Sequence, residues 1–369
     1  VDGERISLGD VVLEIRHTPG HTPESISVVV WEDADDEAPY GVLTGDTLFI
    51  GDVGRPDLLA SIGFTKEELA ASLYDSLHEQ LLTLPDSTRV YPAHGAGSAC
   101  GKNLSTDTWS TIGEQRTTNY ALLAESKDTF FDLVTEGQPP APSYFVYDAI
   151  LNRKDRELLD ESVLPAALTL AEFDRLVEGG AMVIDGRDPD EFGHGHLAGS
   201  INVGLNGRYA EFAGSVIPHD ADIVLVVDEG FELEAKNRLA RIGFDRVVGF
   251  LQHPYIVMLD HPDRVRHASR MTAVEFDARR DEIDGLQLVD IRNPGEVALG
   301  VIGGATTIPV GQLPGRLAEL DPAAPTVVYC AGGYRSSVAA SVLREAGYSD
   351  VSDILGGYGA WQEIQPSLV

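Results

Sequence analysis

Cys330 is followed by Ala331-Gly332-Gly333-Tyr334-Arg335 and then by Ser336. Each of those residue types has a physical use beside a thiol. The glycines let successive N–H groups turn inward as an anion nest. A helix starting at this point adds positive potential from its first turn. Arg335 adds a full charge, and the combination would stabilise a thiolate or a persulfide. An inert core cysteine, the plain alternative, needs neither the two glycines nor the arginine. A second group could hold a metal: His17-Thr18-Pro19-Gly20-His21, Gly45-Asp46-Thr47 and Tyr91-Pro92-Ala93-His94. Imidazole and carboxylate donors suit iron or zinc. Pro19 and Gly20 bend the first motif into a turn, so only one of His17 and His21 would be a ligand. Any one of these histidines alone would be ordinary. Cys100 lies six residues beyond His94, in a Gly-rich loop beside Lys102. It is a candidate persulfide carrier, against the alternative of an ordinary loop thiol.

The motifs need elements to position them. Val11–Ile15, Ile26–Trp31, Tyr40–Thr44 and Arg89–Tyr91 read as strands, and the three metal motifs fall at strand ends, where loops carry function. Lys66–Leu84 has helical spacing, and a single helix is expected over about Thr111–Thr135. The stretch 137–142 is too Pro-rich for regular structure and reads as a linker. Beyond it the chain repeats itself. Val183-Ile184-Asp185-Gly186-Arg187 matches Leu288-Val289-Asp290-Ile291-Arg292. Ile223–Val227 matches Thr326–Tyr329, and Ala235–Gly243 matches Ala339–Gly347. Strands alternating with helices predict a parallel sheet covered on both faces. The second copy holds Cys330; at the matching place the first has Asp228, in a shorter loop. A carboxylate cannot carry sulfane sulfur, so the first copy is expected to serve packing or docking.

Composition bounds the partners. The 369 residues are 43% hydrophobic and 23% charged, which fits a globular chain of two or three domains. The net charge is −32, and only five of the 27 basic residues are lysine. Nucleic acid and anionic membranes are excluded as partners, because both need a basic footprint. The acidic, Lys-poor surface is read as adaptation to concentrated salt, against the plainer reading of an acidic protein from a high-GC genome. Two cysteines are too few for a disulfide framework and fit a reducing cytoplasm. No apolar run is long enough to span a bilayer; no targeting peptide is expected, and the start at Val1 suggests that the true N-terminus is not in view.

The repeat with Asp290-x-Arg292, Gly304–Pro309 and Cys330–Arg335 resembles the rhodanese (sulfurtransferase) family. The resemblance implies that Cys330 takes up a sulfane sulfur, with Arg335 assisting. It also implies that Ala331, Gly332, Gly333, Tyr334 and Ser336 line the substrate. Gly300-Val301-Ile302 departs from the usual Gly-His-Ile, which the first copy approaches with His196-Leu197-Ala198-Gly199. The three metal motifs, in order, resemble the metallo-β-lactamase superfamily. That resemblance implies His21 and Asp46 as ligands, with His94 at a second position. The family's His-x-His-x-Asp-His motif is absent. The expectation is a chain that starts inside the fold and is truncated, or a half-domain with a dead metal site. Gly51–Asp57, Thr111–Asn119 and Pro139–Phe145 resemble the persulfide dioxygenase branch. There Arg55 would help hold the thiol substrate, unless it merely pairs with Asp52 or Asp57.

The expected architecture is therefore α/β and α+β: the C-terminal part of a metallo-β-lactamase αββα sandwich, then two rhodanese-like α/β domains with parallel sheets. The expected domains are 1–160, 166–264 (degenerate) and 268–369 (active). The implied function is a persulfide dioxygenase–sulfurtransferase. Fe(II) is the expected cofactor, with Zn as the alternative. Persulfides, thiosulfate and sulfite are the expected small molecules, and a homo-oligomer is expected. The competing readings are a glyoxalase II-like metallohydrolase fused to a rhodanese, and a sulfur carrier with an inactive metal domain. Counting metals separates them: one iron, two metals or none.

Overall fold

The computed structural model describes residues 1–58, 63–96, 100–138, 144–152, 154–155 and 159–365. It divides into two compact units, Val1–Ala141 and Pro142–Val369. In the first, the strands Arg5–Leu8, Val11–His17, Ile26–Trp31, Gly41–Gly45, Arg89–Pro92 and Ser110–Thr111 form one sheet in sequence order. All neighbours are antiparallel except Gly41–Gly45 with Arg89–Pro92, which run parallel. Side chains alternate across a strand, and Val29, Val42 and Val90 all fall on one buried face. They pack on Leu73, Leu77 and Leu81, which lie on the helix Lys66–Asp75 and its π-helical continuation Ser76–Leu81. A capping box starts that helix: Thr65 Oγ1 accepts from Glu68 N at 3.1 Å and Glu68 Oε2 from Thr65 N at 2.9 Å. Such a cap contributes about 1 kcal/mol.

The single helix expected over Thr111–Thr135 is two, Ile112–Thr118 and Lys127–Thr135. Asn119 causes the break. Its backbone turns extended, and its buried Nδ2 donates to Asp52 O at 2.9 Å and Gln115 Oε1 at 3.1 Å. Asparagine side chains offer the backbone this alternative to helix. Ser126 restarts the helix, its Oγ accepting from Thr129 N at 3.1 Å. The Pro-rich linker lies outside the described residues from position 139 onward.

The second unit contains two five-stranded parallel sheets. In one the order is Ser200–Asn202, Met182–Asp185, Ile223–Val226, Val247–Leu251, Ala167–Leu168. In the other it is Thr306–Thr307, Gln287–Asp290, Thr326–Tyr329, Val351–Leu355, Ser269–Thr272. The two orders are the same topology, so the internal repeat in sequence is a repeat in structure. The central strand of each copy, Ile223–Val226 and Thr326–Tyr329, is buried at every position. That is what a parallel sheet covered on both faces requires. Each copy also carries a buried ion pair just beyond its first central strand. Arg187 Nη2 meets Asp185 Oδ2, and Arg292 Nη2 meets Asp290 Oδ2, both at 2.6 Å. No described helix is long and apolar enough to cross a membrane.

His196, in the first copy, is buried and stacked on Phe192 with ring centroids 3.7 Å apart. Burial pushes its imidazolium down to about 4, although Nδ1 contacts Phe192 O at 2.9 Å. The folded chain therefore resists a proton that the unfolded chain takes up near pH 6.5. Stability from this residue is present above pH 6.5 and lost as pH falls toward 4. The loss amounts to about 3 kcal/mol. Urea titrations of wild type and His196→Gln should diverge least at pH 4 and below, and most above pH 6.5. Parallel pH profiles would remove His196 from acid sensitivity.

Candidate functional site

In the first unit three strand ends converge. His21 hangs on the loop after Val11–His17, and Gly20 makes that loop possible. Gly20 has φ +146°, and a Cβ there would lie 2.4 Å from Leu73 Cβ. Ser76 Oγ donates to Pro19 O at 2.7 Å, and Thr47 Oγ1 donates to Thr18 O at 3.2 Å, pinning the loop from both sides. Asp46 follows Gly45, which turns at φ +54°. His94 follows Arg89–Pro92 and lies on Phe49, with centroids 4.7 Å apart. His21 Nε2 lies 3.3 Å from Asp46 Oδ2, and His94 Nε2 lies 3.3 Å from Asp46 Oδ1. Gly54 closes the floor: a Cβ there would sit 1.9 Å from Asp46 O. His17, the other histidine of the turn, is exposed and contacts Pro23 O at 3.0 Å instead.

This donor set fits a divalent ion. His21 Nδ1 contacts Arg55 O at 3.1 Å. A proton on Nδ1 donated to that carbonyl leaves the Nε2 lone pair facing Asp46, the usual arrangement behind a metal-ligating histidine. Burial holds the His21 imidazolium below its ordinary range, against the pull of Asp46. His94 goes the other way, to about 10, through its hydrogen bonds with Asp46 and then Cys100. Burial raises the Asp46 carboxyl, but His94 and His21 outweigh it and hold the group ionised. The ligand atoms of His21, Asp46 and Cys100 all lie within 4.8 Å of one another. Three donors supply part of a metal shell.

Two surroundings differ from what the sequence suggests. Lys102 commits its ammonium to backbone carbonyls. Its Nζ donates to Leu133 O and Glu136 O, both at 2.7 Å, capping the helix Lys127–Thr135. The group that holds the Cys100 loop is Asp52, fully buried and not singled out from sequence. Its Oδ2 accepts from Lys102 N at 2.8 Å and Asn103 N at 2.7 Å, and its Oδ1 from Tyr120 Oη at 2.7 Å. A Cβ on Gly101 would lie 2.8 Å from the same carboxylate. Arg55 is 1% exposed and forks onto Asp57, Nε to Oδ1 and Nη2 to Oδ2 at 2.7 Å each.

In the second unit Cys330 ends the buried strand Thr326–Tyr329 and is itself buried. Gly333 turns at φ +99° and opens the helix Tyr334–Glu345. Its N–H donates to Cys330 Sγ at 3.1 Å, and Ser336 Oγ lies 3.7 Å from the sulfur. Ala331 and Gly332 form the exposed rim of this loop. Arg335 is clamped by Glu296, with Nη1–Oε2 at 2.7 Å and Nη2–Oε1 at 2.6 Å. Burial raises the Glu296 carboxyl, but Arg335 outweighs that and holds it low. The back of the loop rests on a segment the sequence reading passed over. Tyr358 N donates to Cys330 O at 2.7 Å and Gly359 N to Ala331 O at 3.1 Å. Gly357 has φ +58°, and a Cβ there would lie 2.2 Å from Cys330 O. The run Gly356-Gly357-Tyr358 after the last strand is the signal that could have found it. In the first copy, Asp228 accepts from Tyr255 Oη at 2.7 Å, and the same hydroxyl meets Glu191 at 2.8 Å.

The comparisons with known proteins fall on the same two regions. A family model for the rhodanese-like domain matches residues 169–253 and 272–364. Over 94 residues the chain is 46% identical to a probable metallo-hydrolase of Bacillus subtilis, covering 26% of this chain and 38% of that protein. Over 118 residues it is 36% identical to the mitochondrial persulfide dioxygenase ETHE1 of Homo sapiens, covering 32% and 38%. The chain thus spans about two-fifths of the length of the curated relatives it matches. A solved metallo-β-lactamase from Staphylococcus aureus aligns over 68% of this chain and 70% of its own. It is 31% identical, with a TM-score of 0.60. With His21, Asp46 and Cys100 gathered in one unit and a doubled rhodanese fold in the other, the chain belongs to the metallo-β-lactamase-fold proteins fused to rhodanese domains.

Proposed function

We propose that the chain is a persulfide dioxygenase–sulfurtransferase acting in sulfide detoxification. In this reading residues 1–160 are the metal domain with its linker, 166–264 the degenerate rhodanese-like domain and 268–369 the active one. The observation that carries it is the thiol placed at each candidate centre: Cys100 with His21 and Asp46, and Cys330 under the Gly333 amide. The 36% identity to a persulfide dioxygenase supports the same reading. The overall oxidation converts a thiol persulfide, O2 and water to the thiol, sulfite and two protons; the sulfane sulfur gives up four electrons and O2 takes them. Bound Fe(II), or Zn in the hydrolase alternative, would supply the Lewis acidity, and iron alone the O2 activation. His21 and Asp46 would hold it, His94 would occupy a second position, and Arg55 O would orient His21. Arg55 would help place the thiol substrate through the wall it builds with Asp57.

At Cys330 the thiolate attacks the outer sulfur of thiosulfate. The Sγ–S bond forms, the thiosulfate S–S bond breaks, and sulfite leaves with the electron pair. The Gly333 amide, the helix start and Arg335 stabilise the persulfide anion that remains. Ser336 Oγ lies beside the sulfur, and Tyr334 opens the helix whose N-terminus faces it.

A second reading has its own observation. Asp46 turns one oxygen to His21 and the other to His94, so His21, Asp46 and His94 could between them serve two metal ions, which would supply Lewis acidity for hydrolysis. That is the metallohydrolase reading, and the Bacillus subtilis relative supports it.

Two measurements decide. Iron-loaded protein should bind one metal per chain and consume O2 with glutathione persulfide, and Asp46→Ala should lower both, the rate by at least ~100-fold. Two metals per chain with thioester hydrolysis and no O2 uptake would replace the dioxygenase by the hydrolase. Cys330→Ser should cut thiosulfate:cyanide sulfur transfer at least ~100-fold while O2 uptake persists. Retained transfer would take Cys330 out of its role.

A further inference from the structure

The first repeat lacks a sulfur-carrying residue, yet part of its contact with the second is made by the residue that follows the Cys330 nest. Tyr334, between the nest glycine and Arg335, reaches out of its own repeat. Its hydroxyl donates to Gly204 O at 2.6 Å, and its ring lies 5.6 Å from that of Phe212. Gly207 makes room for the ring. A Cβ on Gly207 would lie 2.3 Å from Tyr334 Cε2 and 2.5 Å from Cζ; one on Gly204 would lie 3.4 Å from Cε2. Neither glycine has positive φ, so what the site asks of them is space. The copies differ here. The ladder pairs Asn202 with Asp185 and Thr307 with Asp290, which aligns Gly204 with Pro309 and Gly207 with Gln312. The first repeat alone carries the two small residues, beside the other's nucleophile.

A second contact holds the helix behind that loop. Asn202 Oδ1 accepts from Ser337 Oγ at 2.7 Å, and Asn202 N donates to Ser341 Oγ at 3.0 Å. All three residues are buried. Asn202 Nδ2 in turn donates to Asp185 O at 3.1 Å and Arg187 O at 3.0 Å, inside the first repeat. The helix that lends its N-terminus to Cys330 is therefore bolted to its neighbour's sheet.

We propose that the first repeat is the seat of the persulfide loop: Gly204 and Gly207 receive Tyr334, which acts as a positioning residue and holds Cys330 and the Gly333 amide in register. This rests on the sulfur-transfer reading of Cys330. Displacing a reacting group by about 1 Å can cost ~100-fold in rate, so a methyl group at position 207 should be felt at the sulfur.

The test is a double-mutant cycle in the full chain. It measures the rate of thiosulfate sulfur uptake on Cys330 by intact mass, and the pH profile of Cys330 alkylation by iodoacetamide. The charged groups facing the sulfur region are Arg335, its partner Glu296, and Asp353 behind Ser336. Gly207→Ala should slow uptake at least ~10-fold and move the alkylation midpoint upward by about half a pH unit or more, as the amide leaves the sulfur. In the Tyr334→Ala background the same substitution should add less than ~2-fold, because the clash is gone. Tyr334→Phe keeps the ring and loses only the bond to Gly204. It should fold, with a melting temperature lowered by no more than several degrees, and still slow uptake, which keeps the test alive if Gly207→Ala does not fold. Wild-type rates and profiles in Gly207→Ala and Tyr334→Phe would overturn the proposal, as would equal losses in both backgrounds. Failure of wild type to take up sulfur would instead overturn the sulfur-transfer reading, and the alkylation profile would still report on the seat.

Discussion

The second unit depends on one interaction made twice, an aspartate at a strand end bound to the arginine two residues on. Asp185 and Asp290 are completely buried, and a buried carboxylate needs a partner. Burial raises the Asp185 carboxyl, with Arg187 pulling the other way. The arginines do more than pair with them. Arg292 Nη2 also donates to Gly300 O at 2.6 Å, and its guanidinium lies 4.0 Å over the Tyr358 ring. Tyr358 is the residue whose N–H holds the Cys330 carbonyl. The Cys330 loop thus rests on an aromatic residue that rests on a buried ion pair. Arg187 repeats the arrangement, donating to Gly195 O at 2.9 Å and lying 5.2 Å from the Tyr255 ring. Tyr255 in turn bonds Asp228, at the place of the missing cysteine. Removing one partner of such a pair leaves a buried charge and costs several kcal/mol. Both copies retain theirs, whichever residue they support.

The same scaffold therefore produces opposite electrostatics. At Cys330 an N–H points at the sulfur, and Tyr358 contributes its backbone. At Asp228 a tyrosine turns its hydroxyl inward and satisfies a carboxylate that Glu191 also flanks. His253 adopts φ +48°, against the preference of a non-glycine residue, where the second copy has glycines at 356 and 357. Two carboxylates at its mouth oppose an anion nest, so the first copy differs from the second in more than the one residue at position 228. What it kept is the sheet edge at Asn202–Gly207, which meets the other copy.

Legibility followed locality. The strands Ile26–Trp31 and Thr326–Tyr329 are readable because their apolar runs are continuous and bounded by turn residues. The repeat is readable because Asp-x-Arg recurs with the same flanks. The Cys330 nest is readable because glycine, cysteine and helix start are adjacent. The break at Asn119 is not readable, since its cause is Asp52, far away in sequence. Nor is the fate of charges: Lys102 sits two residues from Cys100 and caps a helix, while His94 reaches the thiol. Gly357 and Glu296 complete the Cys330 loop from outside it; the Gly356-Gly357-Tyr358 run is a local signal for the first, while the Glu296–Arg335 pair joins residues 39 apart.

That redistribution bears on how a chain of net charge −32 can handle anions. Arg55 and Arg335 look from sequence like islands of positive charge. In the structure each is forked onto a carboxylate, Asp57 and Glu296, so its long-range field is largely cancelled. What remains at Cys330 is short-ranged: the Gly333 N–H, the first turn of a twelve-residue helix, and one guanidinium edge beside the sulfur. Fixed dipoles of this kind act over the last few ångströms and do little to draw an anion from solution. An acidic surface repels thiosulfate and sulfite at distance unless salt screens it. Selection at such a pocket then rests on fit within the nest, and placement of the loop, which the neighbouring repeat constrains, matters more than overall charge.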